Sequence, residues 1–126
     1  MNHITSPDTS DAGIERLIQA KGKTATRVTP ADIEANIRAE TYFTAFDGSM
    51  ADDRDMTMQD ADALKLLTFC VLVLRNGFTV TGESACASPE NFDAEIGRKI
   101  ARQNAVQKIW PLLGFALKER LHAEGG

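Results

Sequence analysis

The sequence predicts an α+β domain: a small antiparallel sheet built on a central β-hairpin, packed against a long C-terminal helix and shorter N-terminal helices. Three observations carry this. An apolar run over residues 66–74 is followed at once by Asn76-Gly77 and then by an alternating stretch over residues 78–83. Both turn residues tolerate positive φ, and such a pair between two strand-like runs is the strongest short-range hairpin signal. Ser88-Pro89-Glu90 supplies a cap, a first-position proline and an acid at the start of a long helical stripe. Thr29-Pro30, with Asp32 in the first turn, marks another helix start in the same way.

Taken in order, residues 1–10 are polar, contain Pro7 and show no periodicity, so they read as disordered. A short helix is expected over residues 11–20, where Ile14, Leu17 and Ile18 have helical spacing and Gly22 lies just beyond. Residues 23–28 read as a linker. The segment 1–27 is thus a flexible N-terminal piece with one short helix, and 28–126 a single ligand-binding domain. The helix opened by Thr29 is expected to run over residues 30–41, with Ile33 and Ile37 on its apolar side. Residues 46–59 hold four acids and one base, Arg54, and read as a loop. The run 66–74 reads as a strand buried on both faces. In the returning strand Phe78, Val80 and Gly82 share one face, and Thr79, Thr81 and Glu83 the other. The long helix is expected over 89–109, with Phe92, Ile96, Ile100, Ala101, Ala105 and Ile109 as its buried stripe. Pro111 breaks or kinks it, and a last helix covers 112–122. Because a lone hairpin is rarely stable, either a further strand lies within 43–62 or a second subunit completes the sheet.

Composition narrows the function. The chain has 126 residues, enough for one modest core. A net charge of −4 argues against binding DNA, which favours a basic surface, but not against a small anion held by two or three local cations. No apolar run reaches the roughly 18–20 residues of a membrane span. The N-terminus lacks the pattern of a signal peptide. A cytoplasmic location is expected, with Cys70 and Cys86 as buried free thiols.

Catalytic constellations are missing from the sequence. His3 and His122 stand near opposite ends and share no motif with a cysteine. The acids Asp52, Asp53, Asp55, Asp60 and Asp62 lack the glycine and terminal glutamate spacing of a calcium loop. No glycine-rich phosphate loop is present. No enzyme activity, metal or cofactor is therefore expected.

One constellation has binding chemistry. From Arg75-Asn76-Gly77-Phe78 to Trp110 the chain concentrates cations, amides and aromatics. Arg98 and Arg102 lie four apart and share a helix face, with Lys99 between them. Gln103 and Asn104 add amide donors. The helix start near Ser88 and Asn91 offers free backbone N–H groups and a positive dipole end. Phe78 has a face on which a base can stack, or it is simply core. The cations are either an anion site or a solvated face paired with Glu95. Trp110 is either core or an interface residue.

The stretch Leu72-Val73-Leu74-Arg75-Asn76-Gly77-Phe78-Thr79-Val80-Thr81-Gly82-Glu83-Ser84-Ala85-Cys86 adds a resemblance. It continues through Pro89-Glu90-Asn91-Phe92-Asp93-Ala94-Glu95-Ile96-Gly97-Arg98-Lys99-Ile100-Ala101, then Ala105, Lys108-Ile109-Trp110 and Leu112, with Val28-Thr29-Pro30-Ala31-Asp32-Ile33 upstream. Together these resemble a phage and prophage family, identified here with the first described anti-Thoeris proteins. The resemblance implies an anti-defence sponge. Such proteins hold a cyclic ADP-ribose isomer made by TIR enzymes without degrading it, and some also take up cyclic trinucleotides. It further implies a homodimer or higher homo-oligomer in the host bacterial cytoplasm, with pockets between subunits. Carried over by position, the stacking aromatic is Phe78, the polar residue before the helix proline is Ser88, and the loop arginine is Arg54. The arginine expected midway along the long helix falls at Asn104-Ala105, with Arg102 nearby. The other reading of the chain is a phage protein–protein adaptor or inhibitor that uses Trp110, Phe115 and the last helix and binds no nucleotide.

Overall fold

A computed structural model describes residues 8–50, 52 and 55–125. The elements run α1 (Asp11–Ala20), α2 (Pro30–Asn36), β1 (Ile37–Thr44), α3 (Ala45–Ser49), α4 (Met58–Leu64), β2 (Leu67–Leu74), β3 (Thr79–Ala85), a 3-10 turn (Pro89–Asn91), α5 (Ala94–Gln107) and α6 (Ile109–Ala123). The three strands form one antiparallel sheet in the order β1-β2-β3. The architecture is the expected α+β one, with α5 laid across one face of the sheet.

The third strand comes from this chain, but it begins earlier than the sequence suggests. The helix expected over 30–41 ends at Asn36, and Ile37–Thr44 pairs with β2, Tyr42 opposite Cys70 and Phe43 opposite Phe69. The start of α2 is as expected: Thr29 and Asp32 form a reciprocal capping box. Its end is set by Thr41, Tyr42, Phe43 and Thr44, β-branched and aromatic residues that favour a pleated surface once a partner strand is at hand. Helix α3 takes up the start of the region read as a loop, and α4 begins at its last two residues. Each is capped by a threonine, Thr44 and Thr57.

The strand read as buried on both faces is buried on one. Thr68, Cys70, Leu72 and Leu74 point into the core, while Leu67, Phe69, Val71 and Val73 are only half-buried. Phe43 and Phe69 stack on that second face, their ring centroids 5.5 Å apart, and α3 packs beside them. Both cysteines are free; Cys70 is buried, and Cys86 is half-buried rather than buried.

The hairpin forms where expected, by a different turn. Gly77 alone takes positive φ, at 91°, and Asn76 does not. Leu74 N–H donates to the Phe78 carbonyl (2.8 Å), and Gly77 N–H donates to the Leu74 carbonyl (2.9 Å). This is a three-residue loop closed by a left-handed glycine, not a two-residue type I′ turn. Asn76 Oδ1 accepts from the Phe78 N–H at 2.9 Å, which fixes the loop from within.

The long helix expected over 89–109 begins later. Ser88 makes no side-chain cap bond; the residue that caps α5 is Asp93, whose carboxylate accepts from Ile96 N–H. The buried stripe holds at Ala101, Ala105 and Ile109, as expected, but not at its two other isoleucines. Ile96 and Ile100 are exposed, and the buried residues are Gly97, Ala101, Ala105 and Val106. The reason lies across the interface: a Cβ on Gly82 would stand 2.1 Å from the Ala101 carbonyl and 2.3 Å from the Ala105 nitrogen. β3 and α5 are so close that only small side chains fit between them. The helix breaks at Lys108 because Pro111 has no N–H for the Gln107 carbonyl and its ring would clash there. The core is completed by Ile33, Val80 and Ile109, with Trp110 packed at its margin.

Candidate functional site

The break at Lys108 turns α6 away from the sheet, so that it packs on α5 and α2 and passes the hairpin end. This leaves a groove of about 620 Å³ between the hairpin and α6, lined by Asn36, Arg75, Asn76 and Phe78 on one side and by Leu112, Leu113 and Ala116 on the other. The volume lies within the range of small-molecule sites. Phe78 is on the same strand face as Val80 and Gly82, yet it is 56% exposed because it lies beyond the end that α5 covers. Its ring is therefore not core.

Arg75 is held by the C-terminus of α2. Its backbone N–H donates to the Asn36 carbonyl (2.9 Å), and its guanidinium donates to the Ala35 carbonyl. Terminal helix carbonyls lack partners within the helix and carry partial negative charge, so a cation suits this end. The partner is neutral, however, and among the described residues no carboxylate pairs with the guanidinium.

The other residues singled out from the sequence do not converge on this groove. Arg102 is taken up by two carboxylates: Nε donates to Glu40 (2.8 Å), and Nη1 and Nη2 donate to Glu34 (3.1 and 2.9 Å). Tyr42 donates its hydroxyl to the same Glu40 at 2.5 Å. These two hydrogen bonds hold Glu40 below the usual carboxylate range, Tyr42 contributing most, while desolvation and Glu40 push the Tyr42 phenol up. The cluster ties α2, β1 and α5 together. It does not match the alternative of a solvated pair with Glu95. Asn104 donates to the Glu83 carbonyl at 2.8 Å and so satisfies β3 from α5.

Ser88, Asn91 and Arg98 stand at the opposite end of the sheet. Ser88 donates to Glu90 at 2.6 Å. Asn91 lines a cavity of about 130 Å³ with Cys86 and Asp93, and Arg98 one of about 60 Å³ with Tyr42 and Asp47. Both are far below nucleotide size. Thr68 lines both, and its hydroxyl is the one buried side-chain polar atom without a partner among the described residues. The length of β3, about 20 Å at roughly 3.3 Å per residue, separates this group from Phe78. Arg54 lies outside the described residues.

Sequence reasoning missed Asn36, which read as mid-helix, and it noted Arg75 and Asn76 without selecting them. Their signal was in plain view: they flank the exposed aromatic in a turn. Among the described residues no group of three or more His, Cys, Asp or Glu side chains is placed to hold a metal ion, and no helix is long and apolar enough to cross a membrane.

The fold and groove define a small α+β domain with an open cleft beside the hairpin, apolar along α6 and carrying Arg75 at its rim. The chain belongs to a family of phage proteins: residues 28–121 match the one described as Phage protein (N4 Gp49/phage Sf6 gene 66) family. No curated protein and no solved structure matches the chain. The matched segment begins at Val28, beyond α1.

Proposed function

We propose that this phage protein binds and holds a cyclic nucleotide immune signal, of the cyclic ADP-ribose type made by TIR enzymes, and does not cleave it. The observation that carries the reading is the exposed Phe78 ring over an apolar groove, with Arg75, Asn36 and Asn76 at its rim. An aromatic face suits a base, amides suit ribose and base edges, and a guanidinium suits phosphate. Cyclic trinucleotides carry the same three chemistries. Sequestration in the host cytoplasm needs affinity and copy number, not a nucleophile.

A homodimer or larger homo-oligomer is part of this reading. Ser88 and Asn91 are too far from Phe78 to touch one small ligand in a single chain, so a pocket that uses both ends takes them from two copies. The adaptor reading rests on a different observation: Phe115 is 70% exposed and Leu112 38% exposed on α6.

The test is incubation of the protein with cyclic ADP-ribose isomers and cyclic trinucleotides, removal of free ligand, heat denaturation and analysis of what is released. Intact ligand, lost with Phe78→Ala, is expected. A cleaved product would make the protein an enzyme. Retention of none of them would overturn the nucleotide reading in favour of the adaptor.

A further inference from the structure

We propose that a second cleft, between α2 and α6, is a phosphate subsite that takes a diphosphate group. The cleft has a volume of about 400 Å³, and three arginines line it: Arg27, Arg75 and Arg120. They come from the segment before α2, the hairpin turn and the last turn of α6. Each cation differs in how far it is already satisfied. Arg27 forms a two-pronged pair with Glu15, at 2.7 and 2.6 Å, and its charge is spent there. Arg75 is bonded only to the neutral Ala35 carbonyl. Arg120 has no hydrogen-bond or ion-pair partner for its side chain among the described residues. The one acid lining the cleft, Asp32, accepts from Thr29 N–H at 2.9 Å in the capping box of α2.

A cation near a helix C-terminus is favoured by the helix dipole alone, which would account for Arg120 in isolation. Arg75 stands likewise at the C-terminal carbonyls of α2, so what marks the cleft is that two guanidinium groups, neither with a carboxylate partner among the described residues, line it together. Two such planar forks match the oxygens of two linked phosphates, and each is able to bind in a bidentate manner. The cleft also continues into the Phe78 groove, since Asn36, Arg75, Leu113 and Ala116 line both. A ligand whose ring lies on Phe78 therefore meets Arg75 first and Arg120 beyond it. The ring half of this picture rests on the nucleotide reading; the phosphate half does not.

The experiment uses inorganic pyrophosphate and cyclic ADP-ribose as separate probes, with binding followed by calorimetry on the full chain. Wild type is expected to bind pyrophosphate, Arg120→Gln to weaken it about tenfold through loss of charge-assisted hydrogen bonds, and Phe78→Ala to leave it within about twofold. Arg120 is exposed and its side chain is unpartnered, so its thermal transition should match wild type and folding does not confound the result. If pyrophosphate is not bound, or is bound equally by Arg120→Gln, the subsite is overturned. Cyclic ADP-ribose binding that depends on Phe78 but not on Arg120 would then leave the nucleotide reading standing alone. Pyrophosphate binding lost in Arg120→Gln, without binding of cyclic ADP-ribose, would uphold the subsite and remove the nucleotide reading.

Discussion

Helices α5 and α6 are neighbours in the chain, separated only by Lys108, yet they meet the rest of the molecule in opposite ways. α5 is polar in composition and tightly docked. Gly97, Ala101 and Ala105 form a small-residue stripe against Thr68 and Gly82, and at Gly82 the approach leaves no room for another methyl group. α6 is apolar around its first turns and loosely docked, with Leu112 and Phe115 exposed. Hydrophobicity alone would have ranked them the other way for burial. What decides burial here is shape: small side chains let backbones approach, and dispersion contacts accumulate at close range. The loosely docked helix is the one that leaves a cleft.

The strongest way to break this contrast is Gly82→Val. Its side chain would drive into the Ala101 and Ala105 backbone, which cannot move aside as a flexible side chain would. Loss of the cooperative fold is expected, a cost above about 4 kcal/mol. Chemical denaturation checks it, and a stability near wild type would mean that β3 and α5 are not pressed together. Ile109→Ala comes next. This residue is fully buried where the two helices meet. The expected cost is about 3 kcal/mol, from lost transfer energy plus a cavity, read from the denaturation midpoint.

Acid should act more locally. Arg27, with help from Gln19, holds the Glu15 carboxyl down to about 2, below its ordinary 4.5. A lowered folded-state value means the pair stabilises the docked α1 fully above about pH 4.5. That contribution is lost progressively as pH falls towards 2. Trp110 is the single tryptophan, and its Nε1 donates to Asp11 of α1 at 3.1 Å. Its fluorescence should therefore report release of α1 across that window. Glu15→Gln should remove the step; an unchanged step would show that another group controls it. The smallest effect is expected on α6 itself. Phe115→Ser should alter stability by less than about 0.5 kcal/mol, while lowering any self-association seen by light scattering. A marked loss of stability in dilute monomer would show that α6 is core after all.

Much of the fold was legible because its signals are local. Thr29 and Asp32 cap a helix within one turn, Asn76-Gly77 reverses the chain within three residues, and Pro111 interrupts a helix wherever it falls inside one. The faulty readings share a cause. Residues 37–44 have β-prone side chains next to a well-capped helix, and periodicity extended the helix over them. Only pairing with β2 reveals the strand. Of the stripe the periodicity predicts, Ala101, Ala105 and Ile109 are buried and Ile96 and Ile100 are not, because apolar size is visible in a sequence and close backbone approach is not. Of the candidate site, Phe78 was found from its place beside the turn. Asn36 was not, because nothing local separates it from a helix interior.

The sequence by itself determined the helix starts, the hairpin and its aromatic, and a composition suited to a small α+β domain. Tertiary structure alone decided which cations are free. Arg102 looked available on its helix face, but it is neutralised by Glu34, 68 residues away, and by Glu40, 62 residues away. Arg75 and Arg120, 45 positions apart, line one cleft, and among the described residues neither is ion-paired; the one acid lining it, Asp32, is engaged in the cap of α2. Caps and turns are fixed by bonds within a few residues, whereas charge compensation depends on which distant side chains the packed core brings within about 4 Å.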